Sequence, residues 1–172
     1  MKHIEVRKAT RKDVLAVSEI TAEAFHKYAL ELEMPQLVGA LRETPKDVLS
    51  DITHKRVYIG LLNGEPVGSI RFEVLDSGVG YISRFGVKLI AQGCGIGHAL
   101  MEAVEEKSRH LGLKALTLHT SSRMIGLVRF YYGSEFYVHS TSNARGYIRA
   151  LMVRELVEDV GEIDYEKIVD GK

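Results

Sequence analysis

The sequence predicts an α/β (α+β) fold in which a mixed, mostly antiparallel central sheet is flanked by about four helices. Three observations predict it. The apolar pattern switches repeatedly between a period of two and a period near 3.6 residues. A meander punctuated by Asn63-Gly64 and Asp76-Ser77-Gly78 occupies the middle of the chain. A glycine-rich turn then leads directly into a well-patterned helix, after which strands and helices alternate.

The elements follow in order. His3 to Lys8 alternates apolar with polar residues and reads as a half-exposed strand. Thr10 with Asp13 resembles a capping box, and Val14, Val17, Thr21, Ala24, Phe25 and Tyr28 continue at helical spacing to an end before Pro35. A second helix starts at Pro45, tolerated in a first turn, and runs to about His54. From Arg56 the period becomes two, with Val57, Ile59 and Leu61 on one face. After the Asn63-Gly64 hairpin signal, Gly68, Ile70, Phe72 and Val74 share a face, and Val79 to Val87 makes a third antiparallel strand. The helix after the glycine turn presents Ile96, Leu100, Val104, Ser108 and Leu111 as its buried stripe and stops at Gly112. Lys114–Thr120 reads as a strand and Ile125–Tyr132 as a helix. Phe136–Thr141 and Tyr147–Val153 are two last strands, joined through Asn143 and Gly146.

Composition narrows the function. The 172 residues suit one core, expected over 1–154, with 155–172 an acidic tail whose structure the weak periodicity leaves open. Lys plus Arg equals Asp plus Glu at 23 each, so no overall field attracts nucleic acid or an anionic membrane. No apolar run reaches the roughly eighteen residues of a membrane span. Cys94 is the only cysteine and MKHIEVRK lacks the apolar stretch of a secretory signal, which fits a cytoplasmic protein. The seven histidines show no metal-ligand spacing beyond His110 and His119 across a turn, so no metal is expected.

The most informative segment is Gln92-Gly93-Cys94-Gly95-Ile96-Gly97-His98, set between a strand and a helix. Glycines at alternate positions let backbone N–H groups turn toward a ligand at a helix start, where unpaired amides and the dipole suit a phosphate. A tight turn that merely permits close packing is the plainer alternative. A dinucleotide-binding turn would need a glycine where His98 stands and an acidic residue where His119 and Thr120 stand. No Gly-Lys-Ser/Thr makes a triphosphate loop.

Gln92-x-x-Gly95-x-Gly97 after a strand ending Phe85-Gly86-Val87 resembles the acyl-CoA-binding motif of the GNAT superfamily of N-acetyltransferases, and the element order from His3 to Val153 is similar to that fold. The resemblance implies a sheet splayed between strands 4 and 5. It implies that the backbone of Phe85, Gly86 and Val87 holds the pantetheine arm of acetyl-CoA. The amides of Gly93, Cys94, Gly95, Ile96, Gly97 and His98 would take the pyrophosphate, with Gln92 bracing the turn. Tyr131 matches the tyrosine that in many relatives protonates the departing thiolate; a buried aromatic with a satisfied hydroxyl is the alternative. The implied reaction is direct attack of a primary amine, expected on a small molecule, in a complex holding both substrates. Dimerisation is common in that family, which leaves a homodimer open.

The chain departs from the family pattern at Leu89, where proline is common, and at Cys94, where Lys or Arg often supplies a cation. Met124 replaces an asparagine, and Glu135 a glycine before Phe136. Strand Val79–Val87 has no carboxylate where some relatives carry their general base; Tyr81 stands there instead. Glu33, Glu73, Asp76 and His119 are further candidates, each also readable as a solvated or salt-bridged side chain. Acetylation of protein lysines or N-termini, and acyl-CoA sensing without chemistry, are the competing functions.

Overall fold

The computed structural model describes residues 1–172. Along the chain run β1 (Ile4–Lys8), α1 (Val14–Leu32), α2 (Pro45–His54), β2 (Arg56–Leu62), β3 (Glu65–Val74), β4 (Val79–Val87), α3 (Ile96–His110), β5 (Ala115–Ser121), α4 (Ile125–Gly133), β6 (Tyr137–Ser142), β7 (Arg149–Glu155) and α5 (Tyr165–Ile168). The seven strands pair in the order β1-β2-β3-β4-β5-β7-β6. Pairing is antiparallel for β1 with β2, β2 with β3, β5 with β7 and β6 with β7, and parallel for β4 with β5. This is the mixed, mostly antiparallel sheet that the alternation of periods predicts. No helix is long and apolar enough to cross a membrane.

Met1–Phe72 with Arg84–Val104 forms one compact unit. The Asp13 carboxylate accepts from the Thr10 amide at 2.7 Å and from its hydroxyl at 3.0 Å, and a 3-10 turn over Arg11–Asp13 leads into α1. Val17 and Ile20 of α1 pack with Val48 and Ile52 of α2 on Val57, Ile59 and Leu61 of β2. Helix α2 begins at Pro45, as its sequence predicts, and the Thr44 amide and hydroxyl both donate to Asp47 at 2.7 Å. Such a cap stabilises a helix by about 1 kcal/mol. The Asn63-Gly64 hairpin has both residues at positive φ, 52° and 86°, the twist that a two-residue turn between strands requires. Strand β3 differs from the single-face expectation. Val67, Ser69 and Arg71 are buried as well as Gly68, Ile70 and Phe72, whereas Val74 is exposed at the strand end. Both faces of β3 are covered, so alternation could not reveal which face was core.

Glu73–Ser83 with Glu105–Lys172 forms the second unit. Val79 and Tyr81 of β4, Ala115 of β5 and Leu151 and Val153 of β7 share a cluster with Tyr165 and Val169 from the tail. The acidic tail is therefore anchored by two buried apolar side chains around the short α5. It is also tied by Lys172, which pairs with Glu73, and by Arg145, which donates to the carbonyls of Gly171 and Lys172 at 3.0 and 2.9 Å. Helix α3 buries Ile96, Leu100, Val104 and Ser108 as predicted, but Leu111 is exposed. The helix ends at His110, Gly112 takes φ 69°, and the chain reverses so that Leu113 is the next residue in the core.

Candidate functional site

The glycine turn lies where sequence placed it. A 3-10 turn over Leu89–Ala91 and a turn over residues 92–95 lead from β4 into α3. Gly93 and Gly95 adopt φ 73° and 92°, conformations that a side chain bearing a Cβ rarely accepts. A Cβ on Gly93 would meet nothing within 4 Å, and one on Gly95 only the Ile4 side chain at 3.4 Å. Open space therefore lies beside the turn, at the end of α3 where helix amides lack carbonyl partners. That space and that polarity fit a pyrophosphate. The Cys94 amide is engaged within the turn, donating to the Ala91 carbonyl at 3.3 Å. Gln92 braces the segment: its Nε2 reaches the Val87 carbonyl at 3.5 Å, and its Oε1 accepts from Lys27 Nζ at 3.1 Å.

Lys27 and Lys2 are the residues that sequence reasoning missed. Cys94 leaves the turn without a cation of its own, but the Lys2 ammonium stands 3.5 Å from the Cys94 sulfur and Lys27 stands against Gln92. Both come from elements far from the turn in sequence, and neither belongs to a motif.

Upstream, β4 changes character. Its parallel ladder with β5 runs from Val79–Ala115 to Ile82–Leu118. Two residues further on, Arg84 has φ 50°, a left-handed conformation that breaks the regular pleat before Phe85, Gly86 and Val87. Gly86 is buried, and a Cβ there would lie 2.6 Å from the Ala24 side chain, so α1 approaches this end of β4 because no side chain intervenes. Arg84 is held by Glu43, which its Nε reaches at 3.2 Å, and its guanidinium lies 6.0 Å from the Phe25 ring centre. Glu43 also receives both terminal nitrogens of the fully buried Arg71 at 2.7 Å, and Arg71 reaches Asp51 at 2.8 Å.

In the second unit, Tyr81 and His119 meet. The Tyr81 hydroxyl is 2.8 Å from His119 Nδ1, and Tyr81 is 7% exposed. Burial, reinforced by Arg149 and Arg145, pushes the His119 imidazole down to about 4. His119 is therefore neutral, and its tautomer sets which of the two groups donates in this bond. Glu73 is paired with Lys172, Asp76 is exposed at the turn before β4, and Glu33 is exposed at the left-handed cap of α1. Tyr131, on α4, is buried edge-on to Phe130 and Phe136, with ring centres 5.6 and 5.9 Å apart. No group of three or more His, Cys, Asp or Glu side chains could hold a metal ion.

The family model of the GNAT acetyltransferases matches residues 26–136, which contain α2, the meander, the glycine turn and α4. The chain belongs to the GNAT acetyltransferase family. It is accordingly an acyl-CoA-dependent N-acetyltransferase, with acetyl-CoA as the acyl donor. Among solved structures, the PaiA N-acetyltransferase of Thermoplasma acidophilum in complex with coenzyme A superposes with a TM-score of 0.78 at 18% identity, over 89% of this chain and 99% of that one. A GNAT-family acetyltransferase of Staphylococcus aureus Mu50 superposes with a TM-score of 0.73 at 14% identity, over 90% and 100%. The ribosomal-protein-S18-alanine N-acetyltransferase of Escherichia coli gives 0.72 at 16%, over 93% and 97%. No curated protein matches the sequence significantly. For this GNAT enzyme the departure at Glu135 has a visible backbone consequence: Glu135 sits at φ 66°, a conformation that glycine adopts without strain. Glu135 also pairs with Arg154 at 2.6 Å.

Proposed function

We propose that this GNAT enzyme transfers the acetyl group of acetyl-CoA to the primary amine of a small molecule, by direct attack in a complex holding both substrates. The observation that carries the cofactor side of this reading is the turn at Gly93 and Gly95. Its left-handed backbone opens onto free space at the start of α3. In this reading the pyrophosphate lies on amides of Gly93 and of Gly95, Ile96, Gly97 and His98, with the Cys94 amide reserved for the turn itself. Lys2 and Lys27 supply the cationic charge that Cys94 does not. The backbone of Phe85, Gly86 and Val87 receives the pantetheine arm, and an amide of that segment polarises the thioester carbonyl. Tyr131 protonates the departing sulfur, and Tyr81 faces the amine.

A small acceptor is favoured by how the segment after α1 is held. Residues 35–42 wind in two 3-10 turns, and Val38 and Ala40 are buried with Ala29 of α1, Phe25, Tyr28 and Leu32 around them. Glu43 is anchored on Arg71. A segment packed in this way suits an enclosed acceptor rather than a long open groove.

Thermal melting with coenzyme A tests the cofactor side. A ligand at about 100 times its dissociation constant stabilises the native state by roughly 2.7 kcal/mol, which in a chain of this size raises Tm by roughly 5–11 °C. Gly95→Val, forced into φ 92°, abolishes that protection; full protection in the variant refutes the turn as the pyrophosphate site. Tyr131→Phe lowers turnover by about 10²-fold or more while leaving the protection intact. Release of free coenzyme A, measured with small primary amines and with peptides bearing a free N-terminus or lysine, tests the acceptor. A higher kcat/KM for peptides than for every small amine overturns the small-molecule reading.

A further inference from the structure

Two arginines converge on the open space beside Gly39. Val38 and Ala40 are buried against Ala29 of α1 and fix the turn on either side, while Gly39 itself is exposed. Gly39 opens the 3-10 turn that ends at Arg42. With three residues per turn, a side chain three positions on returns over the first. A Cβ built on Gly39 would lie 3.8 Å from Arg42 Nη2 and 3.9 Å from Arg84 Nη2, and would meet nothing else within 4 Å beyond its chain neighbours. Both guanidinium groups are held from behind. Arg42 Nη1 donates to the Gln36 carbonyl at 2.9 Å, and Arg84 Nε donates to Glu43 at 3.2 Å, with the Phe25 ring centre 6.0 Å from its guanidinium. Neither Nη2 donates a hydrogen bond within the protein. Both Glu43 oxygens are taken by the buried Arg71, and Asp51 is shared by Arg71 and Lys55. With Arg42 counted, Arg42, Arg71, Arg84 and Lys55 stand against Glu43 and Asp51, an excess of cations. Two like charges turned toward one open point repel unless an anion lies between them.

We infer that Arg42 and Arg84 hold a carboxylate of the acceptor, so that the amine acetylated by this enzyme is one that also carries a carboxylate. The two oxygens of a carboxylate take one Nη2 each, in charge-assisted hydrogen bonds that a neutral group cannot match. Gly39 leaves room for it where any larger residue would fill the seat. Arg84 directly precedes Phe85, Gly86 and Val87 in β4, and all of these residues lie with Gly39 and Arg42 in the same compact unit. Its left-handed backbone, φ 50°, is a conformation that a residue with a side chain keeps only where the surroundings hold it there. The strand segment proposed to receive the pantetheine arm is thus joined by one peptide bond to the carboxylate's anchor. An acceptor fixed at its carboxylate presents its amine from a set distance, which lowers the entropic cost of attack.

The inference rests on the proposed acetyl transfer to a small amine, and the experiment separates the two. Release of coenzyme A from acetyl-CoA is measured with 4-aminobutanoate, 6-aminohexanoate, leucine and Nα-acetyl-lysine, each beside its carboxamide and compared per unprotonated amine. Thermal protection by coenzyme A is the control for folding and cofactor binding. In the wild type, kcat/KM for the carboxylate of the best pair exceeds that for its carboxamide by about 10-fold or more. Arg42→Gln and Gly39→Asp bring this ratio close to one by raising KM for the carboxylate, with kcat little changed and protection by coenzyme A retained. Gly39 is not at positive φ, so an aspartate there is unstrained and supplies the anion from within. Arg84→Gln acts in the same direction, and Arg42→Gln, on an exposed residue, keeps the test decisive if loss of the Glu43 pair unfolds that variant. Equal kcat/KM for carboxylates and carboxamides in the wild type, or a preference that survives in Arg42→Gln and Gly39→Asp, overturns the inference while leaving the acetyl transfer standing. Loss of coenzyme A protection in Arg42→Gln overturns it as well, by assigning the arginine to the cofactor's phosphates. Full protection with no turnover of any of these amines overturns the small-molecule reading together with the inference.

Discussion

Glu43→Gln removes the charge that holds a fully buried arginine. The Arg71 side chain has no exposed surface, and Glu43 takes both of its terminal nitrogens at 2.7 Å. Asp51 at 2.8 Å and the Thr21 hydroxyl at 3.2 Å complete the set, while Arg71 Nε has no partner. Breaking one side of a buried ion pair costs about 3–5 kcal/mol, because the remaining charge stays desolvated. Asp51 still faces Arg71 in the variant, which places the loss near the lower end, at about 3 kcal/mol. In a chain of this length that is a fall in Tm of roughly 6–12 °C. Arg71→Met strands Glu43 and Asp51, although Arg84 at 3.2 Å and Lys55 at 3.1 Å relieve them in part, and the loss is similar or smaller. The double variant Glu43→Gln/Arg71→Met loses much less than the two singles together, since the unpartnered Nε shows that the guanidinium's desolvation is incompletely offset. Urea unfolding followed by circular dichroism measures all three, with equal m-values as the check that only stability changed. A Glu43→Gln variant within 2 °C of wild type, or fully additive losses in the double variant, would refute the view that this pair is a buried, mutually dependent unit.

Other consequences are as specific. Lys27→Ala, by removing a cation beside Gln92, weakens binding of coenzyme A several-fold and reduces the salt dependence of its dissociation constant; calorimetry at two ionic strengths checks this, and an unchanged salt dependence excludes Lys27 from the phosphate site. His119 binds its proton less readily when folded, at about 4 against 6.5 unfolded, so between those values the unfolded chain holds more protons and stability falls as pH falls. His119→Asn flattens Tm across that pH window, and a variant with the wild-type slope would show that another group is responsible. Asp13 is held below the usual carboxylate range, first by its hydrogen bond to Arg7, so its contribution is present above about 4 and is lost on further acidification. In Asp13→Asn the acid limb of the stability curve shifts to lower pH, as measured by urea unfolding at pH 2 to 5.

The sequence by itself determined the local elements and the turn. Asn63-Gly64, Pro45 at the start of α2, Gly112 after α3 and the paired glycines around Cys94 each express a backbone preference set by near neighbours, and each appears in the structure where its residues predict. The family followed from the same segment, because a phosphate-binding turn is built from backbone and needs only local spacing.

Tertiary structure decided the rest, because those features depend on what lies across the sheet rather than along the chain. The alternation of Gly68, Ile70, Phe72 and Val74 leaves Arg71 on the opposite face, and only the covering of β3 on both faces makes it a buried charge with Glu43 and Asp51 as partners. Leu111 fitted the stripe of α3, but reversal of the chain at Gly112 gave its place to Leu113. Lys2 and Lys27 reach Cys94 and Gln92 only through the folded positions of the N-terminal segment and α1. His119 comes within 2.8 Å of Tyr81 only through the pairing of β4 with β5. Charge and hydrogen bonding act over a few ångströms of space, and distance along the chain carries no record of them.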